Sequence, residues 1–260
     1  MDCSVQRCKS LGEDWKKQPW LDKLTTNWPG PIAHELQVLG TQLDRGNAVG
    51  ALWQLRDVAE VLIKIPAVIM ARDLLEHGGS AELQKYIRST FFATQLSMGT
   101  WLKLARDLSI AIAKGAGKGL LAPEIAALFY SQQGETPFYA TLNALVALRN
   151  RVLGHGASRF HENEVIDLLR HYLLGNLEER RITMLGENNS VNTLGKGLEF
   201  AFTLEPWQTL SMYAVGEDNP IDLTGSASLI AHHDRPKTAQ PGKHTELSTP
   251  LFLARVDSRL

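Results

Sequence analysis

The sequence has only two cysteines in 260 residues, Cys3 and Cys8. Two thiols so close together cannot supply a disulfide framework. Stability must come from an apolar core, and the expected compartment is the reducing cytoplasm. No apolar run approaches the roughly 18–20 residues of a membrane span. The most apolar stretch, 58–71, is broken by Glu60, Lys64 and Pro66. The opening residues, MDCSVQRCKSLGEDWKK, lack the apolar centre of a secretory signal. Charge of one sign is also missing: 27 basic and 28 acidic residues leave a formal net charge of -1. That balance excludes a chain that grips nucleic acid by bulk charge and leaves only local clusters to do so.

What is present is periodicity. Up to about residue 180, apolar residues recur every three or four positions; beyond it they alternate or come in short runs among Gly, Asn and Pro. The first pattern predicts helices and the second strands. Residues 1–29, with Trp15, Trp20 and Trp28, read as a short helix or arm packing on the main body. Helices are predicted over 31–45 and 48–76, the latter with an apolar stripe of Leu52, Leu55, Ala59, Leu62 and Ile69. Pro66 predicts a kink in it. Gly78 and Gly79 stop it, and Ser80 caps a helix to about residue 95. Helical stretches follow near 100–114 and 123–132. Thr136-Pro137 starts another helix as N-cap and first-position proline, and a last one is expected over 162–181. Strands are expected at 198–204, 209–215, 221–223, 226–231 and 251–256, with 216–220 a turn and 232–244 a loop. The chain thus divides into an arm (1–29), a helical domain (30–181) and a small antiparallel β-rich region (182–260). A strand so near the C-terminus raises the expectation of a longer parent protein or a processed fragment.

One segment stands apart, Arg149-Asn150-Arg151-Val152-Leu153-Gly154-His155-Gly156. Arg149 follows Val146, Leu145 and Leu142 by three, four and seven residues, so it continues an apolar helix face. A charge turned inward there needs an acceptor. Gly154 and Gly156 free the backbone to swing His155 off the helical path. Three arginines, a histidine and an asparagine lie between Arg149 and Arg159, with no acid. Guanidinium groups match phosphate oxygens bidentately, an imidazole exchanges protons near neutrality, and an amide donates to an oxyanion. Those parts suit RNA cleavage by attack of the 2′-hydroxyl, without a metal.

The pattern Arg149-Asn150, four residues, His155 resembles the arginine–polar–x4–histidine signature of HEPN domains. These are all-α domains, many of them metal-independent RNases of toxin–antitoxin, antiphage and CRISPR-linked systems. The run LSMGTWLKLA at 96–105 resembles a segment that precedes the motif in bacterial defence proteins of this kind. The resemblance covers about residues 30–180. It implies a HEPN-like helical bundle, catalytic roles for Arg149 and His155, and an orienting role for Asn150. It also implies a homodimer with both motifs facing one cleft, RNA as substrate, a possible regulatory or defence-complex partner, and no cofactor. Ala157 stands where a tyrosine-bearing variant of the signature has its Tyr, which weakens any link to an AMP-modifying partner. Non-catalytic HEPN scaffolds and nucleotide-sensing regulators fit the same pattern.

Other candidates have plainer readings beside them. Arg151 and Arg159 read as solvated charges or weak RNA contacts. Arg56, Glu60 and Lys64 form a row of charges four apart; the sharper reading makes Glu60 the acid that orients Arg149. KGAGKG at 114–119 fails as a phosphate loop, with Ile112 where Gly is needed and Gly119 where Ser or Thr is needed. His232, His233, Asp234 and His244 match no zinc spacing, so no metal is expected. The N-terminal tryptophans read as packing anchors.

Overall fold

The computed structural model describes residues 3–77, 79–91, 96–116, 123–153, 161–175, 193–204, 210–213, 229–233 and 244–247. It is mainly helical. The helices are α1 (Cys3–Lys16), α2 (Leu21–Asn27), α3 (Gly30–Asp44), α4 (Ala48–His77), α5 (Ala81–Phe91), α6 (Met98–Ala111), α7 (Pro137–Leu148), α8 (Glu162–Leu174) and α9 (Leu194–Leu204). Among the described residues no helix is long and apolar enough to cross a membrane.

Helix α4 is the axis of the molecule. Every residue from 65 to 71 is buried, which is more than one full turn, so this stretch is enclosed on all sides. The expected stripe is buried, but so are Ile63, Ile65, Ala67 and Val68 on the other faces. A helix apolar all round belongs in a core rather than at its edge. The helix runs on through Pro66 to His77.

Neighbouring helices take their direction from contacts along α4 and α6. The Lys64 ammonium sits over the Trp101 ring, 5.9 Å from its centre. Further on, the Ser109 hydroxyl reaches Met70 Sδ at 3.5 Å. Helices α4 and α6 are therefore parallel. Tyr86 meets Asp107 at 2.8 Å while Phe91 packs edge-on to Trp101, so α5 runs back between them in sequence and antiparallel to α6.

The N-terminal helices join the same core, where Leu11, Trp15, Trp20 and Leu24 are buried. Helix α1 lies parallel to α8 along a polar seam. Ser4 donates to Glu162 at 2.8 Å, Arg7 to Asn163 at 2.8 Å and Asp167 at 2.6 Å, and Arg170 to Asp14 at 3.4 Å. Ion pairs this exposed add little stability; they fix register, while the buried apolar side chains supply the adhesion.

Two caps form as their residues predict. Ser80 Oγ accepts from the Leu83 N–H at 3.2 Å, and Thr136 Oγ1 from the Tyr139 N–H at 3.1 Å with Pro137 in the first turn. Other expectations need correction. Residues 198–204 are not a strand; they belong to α9. Leu194, Gly197, Leu198 and Ala201 follow helical spacing and are buried with Gly195, whereas the alternation in EFAFTL reads misleadingly as β. The helical pattern thus continues past residue 180. Helix α8 ends at Leu174 rather than 181, because Gly175 takes the left-handed conformation (φ 77°) and closes it. The stretch expected to be helical over 123–132 is a short 3₁₀ turn, Pro123–Leu128, followed by a two-strand antiparallel hairpin, β1 (Tyr130–Ser131) and β2 (Gly134–Glu135).

Three more short strands, β3 (Leu210–Tyr213), β4 (Leu229–His233) and β5 (His244–Leu247), pair antiparallel in that order. His232, His233 and His244, expected in a loop, are placed in β4 and β5. The strands expected at 221–223 and 251–256, the turn at 216–220 and Asp234 lie outside the described residues.

Helix α9 reaches its neighbours through glycines. A Cβ on Gly195 would lie 2.9 Å from the Leu173 carbonyl oxygen, a backbone atom that cannot step aside. Gly40 on α3 has open space around it. Gly195→Ala is expected to cost about 1–3 kcal/mol, and Gly40→Ala to add about 0.5–1 kcal/mol; urea unfolding measures both. The same fold governs the thiols. Burial, and secondarily Glu162, pushes Cys8 up to about 11, while Cys3 is exposed. A disulfide thiol reagent should therefore label Cys3 in the native protein and Cys8 only after unfolding.

Candidate functional site

Helix α7 delivers the candidate site. Its buried residues are Phe138, Thr141, Leu142, Leu145, Val146 and Leu148, and the next residues, Arg149–Leu153, form a wider π-type turn. Such turns inside or at the end of α-helices are frequent at functional positions, because the added residue re-aims the side chains that follow.

Arg149 is half-buried at the start of this turn, and Asn150 and Arg151 are exposed. The Arg149 guanidinium donates to Asn150 Oδ1 at 3.1 Å. Among the described residues no carboxylate pairs with Arg149. A guanidinium has five N–H donors, so one bond to a neutral amide leaves most of its capacity unused. The acceptor required for a charge on this face is thus the neighbouring Asn rather than an acid.

Arg151 acts electrostatically on α8. Burial raises the pKa of the Tyr172 phenol on α8, and the Arg151 charge opposes that rise. His155 and Arg159 lie outside the described residues.

Glu60 comes to the same level of the bundle as Arg149. A Cβ on Gly99 would lie 3.8 Å from Val146 Cγ1, and Arg106 sits over the Tyr139 ring, so α7 is antiparallel to α6. Arg149, one turn beyond Val146, is then level with the start of α6. Glu60, one turn before Lys64, is level with Ser97, which lies one turn before Trp101. In this arrangement the Glu60 carboxylate pairs with Lys64, each side chain 17% exposed. Arg56, the third member of the charge row, pairs with Asp57 at 2.9 Å and stacks on Trp53.

Sequence reasoning passed over His171. It lies on α8 with its ring edge-on to Tyr172, centroids 5.0 Å apart. Its Nδ1 is buried and, among the described residues, has no hydrogen-bond partner. Burial lowers its pKa below the ordinary imidazole value. The available signal was its position beside Tyr172, in the run LLRHYLL that turns Leu169, Tyr172 and Leu173 inward.

No known protein family, curated protein or solved structure matches this chain. The residues themselves therefore carry the functional argument.

The lowered pKa of His171 has a consequence for stability. The unfolded chain takes up this proton first as pH falls, so stability declines below about pH 6.5, where an unperturbed imidazole titrates. His171→Gln should flatten the loss of urea stability between pH 7.5 and 5.5 relative to the parent. An unchanged loss would show that His171 is not the group responsible.

Proposed function

We propose that the chain is a HEPN-type, metal-independent endoribonuclease that works as a homodimer, as an effector of toxin or antiphage defence in the cytoplasm. The observation that carries the reading is the Arg149–Asn150 pair at the π-type turn ending α7. Among the described residues it leaves a half-buried guanidinium with donors to spare, and the glycine-flanked His155 follows six residues later in the sequence. The helical architecture is compatible with the family that the motif resembles.

In this reading one His155 accepts the proton of the ribose 2′-hydroxyl. The O2′–P bond forms as the P–O5′ bond breaks, and the 5′-oxygen takes a proton from the imidazole of the second copy. Arg149 holds the non-bridging oxygens, whose charge grows in the transition state, and Asn150 keeps the guanidinium aimed. The products carry a 2′,3′-cyclic phosphate and a 5′-hydroxyl. Arg151 and Arg159 add weaker RNA contacts. The C-terminal residues form a small antiparallel β unit that regulates the helical body or connects it to a partner.

Purified protein incubated with total tRNA in EDTA should yield fragments with cyclic phosphate ends. His155→Ala should slow cleavage by about 10²–10⁴-fold and Arg149→Ala by about 10²–10³-fold, with the fold and oligomeric state intact by circular dichroism and sedimentation. Cleavage by the double variant at the parental rate would remove the enzyme reading and leave a helical scaffold.

A further inference from the structure

Helix α4 is enclosed along its middle but open near its start. Among the described residues the exposed large apolar side chains are Val49, Trp53 and Leu204. The first two stand one helical turn apart on α4. Arg56 follows three residues after Trp53 and seven after Val49, so the three share a face. We propose that this face is a stacking site for a base of single-stranded RNA, with Trp53 under the base and Arg56 and Arg45 on the flanking phosphates. The inference rests on the ribonuclease reading, which supplies RNA as the occupant.

The ring, the local charge and the size of the patch favour that occupant. The Arg56 guanidinium lies over the Trp53 ring, 4.9 Å from its centre, yet Trp53 is still 40% exposed. An open indole beside a guanidinium plane suits an unstacked base, because every base has a π-face. From Arg45 to Arg56 the sequence RGNAVGALWQLR contains no acid. The acids that bound it are engaged, Asp44 by Lys16 at 2.5 Å and Asp57 by Arg56 at 2.9 Å. Arg56 reaches Asp57 through Nε and Nη2, which leaves its Nη1 donors. Among the described residues no carboxylate pairs with Arg45. The patch is also small. A tryptophan side chain presents at most about 250 Å², so its open part is roughly 100 Å², against the ~800 Å² that each partner gives to a stable protein interface. Its border is polar, with Asn47 donating to Gln42 at 2.8 Å. One base fits such a patch better than a second protein chain does.

The test uses the full-length protein and two short 2′-O-methyl RNA oligonucleotides, which cannot be cleaved through the 2′ position. One carries adenine bases and the other is abasic, so they share phosphates and differ in what can stack. The parent should prefer the base-bearing strand. Trp53→Ala should weaken binding to that strand about tenfold and leave binding to the abasic strand unchanged, while Trp53→Phe should bind like the parent. Arg45→Gln should lower the salt dependence of binding by the release of about one counterion.

Equal binding of the base-bearing strand by the parent and Trp53→Ala would overturn the proposal and leave the ribonuclease reading standing. An equal loss on both strands would also overturn it, since stacking would then not be what Trp53 supplies. If Trp53→Ala instead turns a dimer into a monomer by sedimentation, the face is an interface between copies and the proposal fails. Trp53→Leu, apolar but without a ring, replaces Trp53→Ala if the latter does not fold. If the parent binds neither strand and does not cut tRNA, the ribonuclease reading falls and this site falls with it.

Discussion

The rest of the structure depends on the enclosure of α4. A helix buried over more than a whole turn has no free face along which its neighbours can slide. Each surrounding helix must match a fixed surface of Ile, Val, Ala and Met side chains at interior packing density. The register of α6 against α4 follows, marked at one level by Lys64 over Trp101 and at another by Ser109 on Met70. The register of α7 follows from that of α6, since Val146 packs at Gly99. Arg149 and Glu60 are on different helices, yet their common level is a consequence of how the core packs.

The same constraint holds the candidate site from behind. Helix α9 seats against α7, where a Cβ on Gly197 would meet Thr141 at 2.8–3.0 Å, and the Thr141 hydroxyl donates to the Thr193 carbonyl at 3.0 Å. Residues beyond position 180 are thus part of the support for the turn that carries Arg149. The glycines of LGKGLEF serve close approach between helices, a use that the local sequence does not distinguish from turn formation.

What could be read from the sequence was local. Thr136-Pro137 and Ser80 were legible because a cap is made by residues within one turn of one another. The helical class and the limits of α3 and α4 were legible because their apolar spacing is long and regular. Helix α9 was not: Phe200 and Phe202 alternate with smaller residues, and the helical reading shows in the packing of Gly195 and Gly197 against Leu173 and Thr141. Helix α8 was read too long because Gly175 was not taken as a stop. At the site, the sequence pointed to the segment in which Arg149 and Asn150 are hydrogen-bonded. The spacing of Arg56, Glu60 and Lys64 gave the Glu60–Lys64 pair, which is local, but not the turn of Arg56 to its neighbour Asp57. His171 was passed over because its position beside the inward-turned Tyr172 places it on the helix but does not show that its ring nitrogen is buried.

The choice of residue at position 149 is itself informative. Leu142, Leu145 and Val146 lead to it along one buried face, where another leucine would have added apolar burial at no electrostatic cost. An arginine there loses part of its hydration and, among the described residues, regains one hydrogen bond from a neutral side chain. A role in stability alone would favour a carboxylate partner, and Glu60 stands at the right level to be one. The Glu60 carboxylate pairs with Lys64 on its own helix. A half-buried guanidinium whose bond among the described residues goes to a neutral amide keeps donors in the fork geometry that matches a carboxylate or a phosphate.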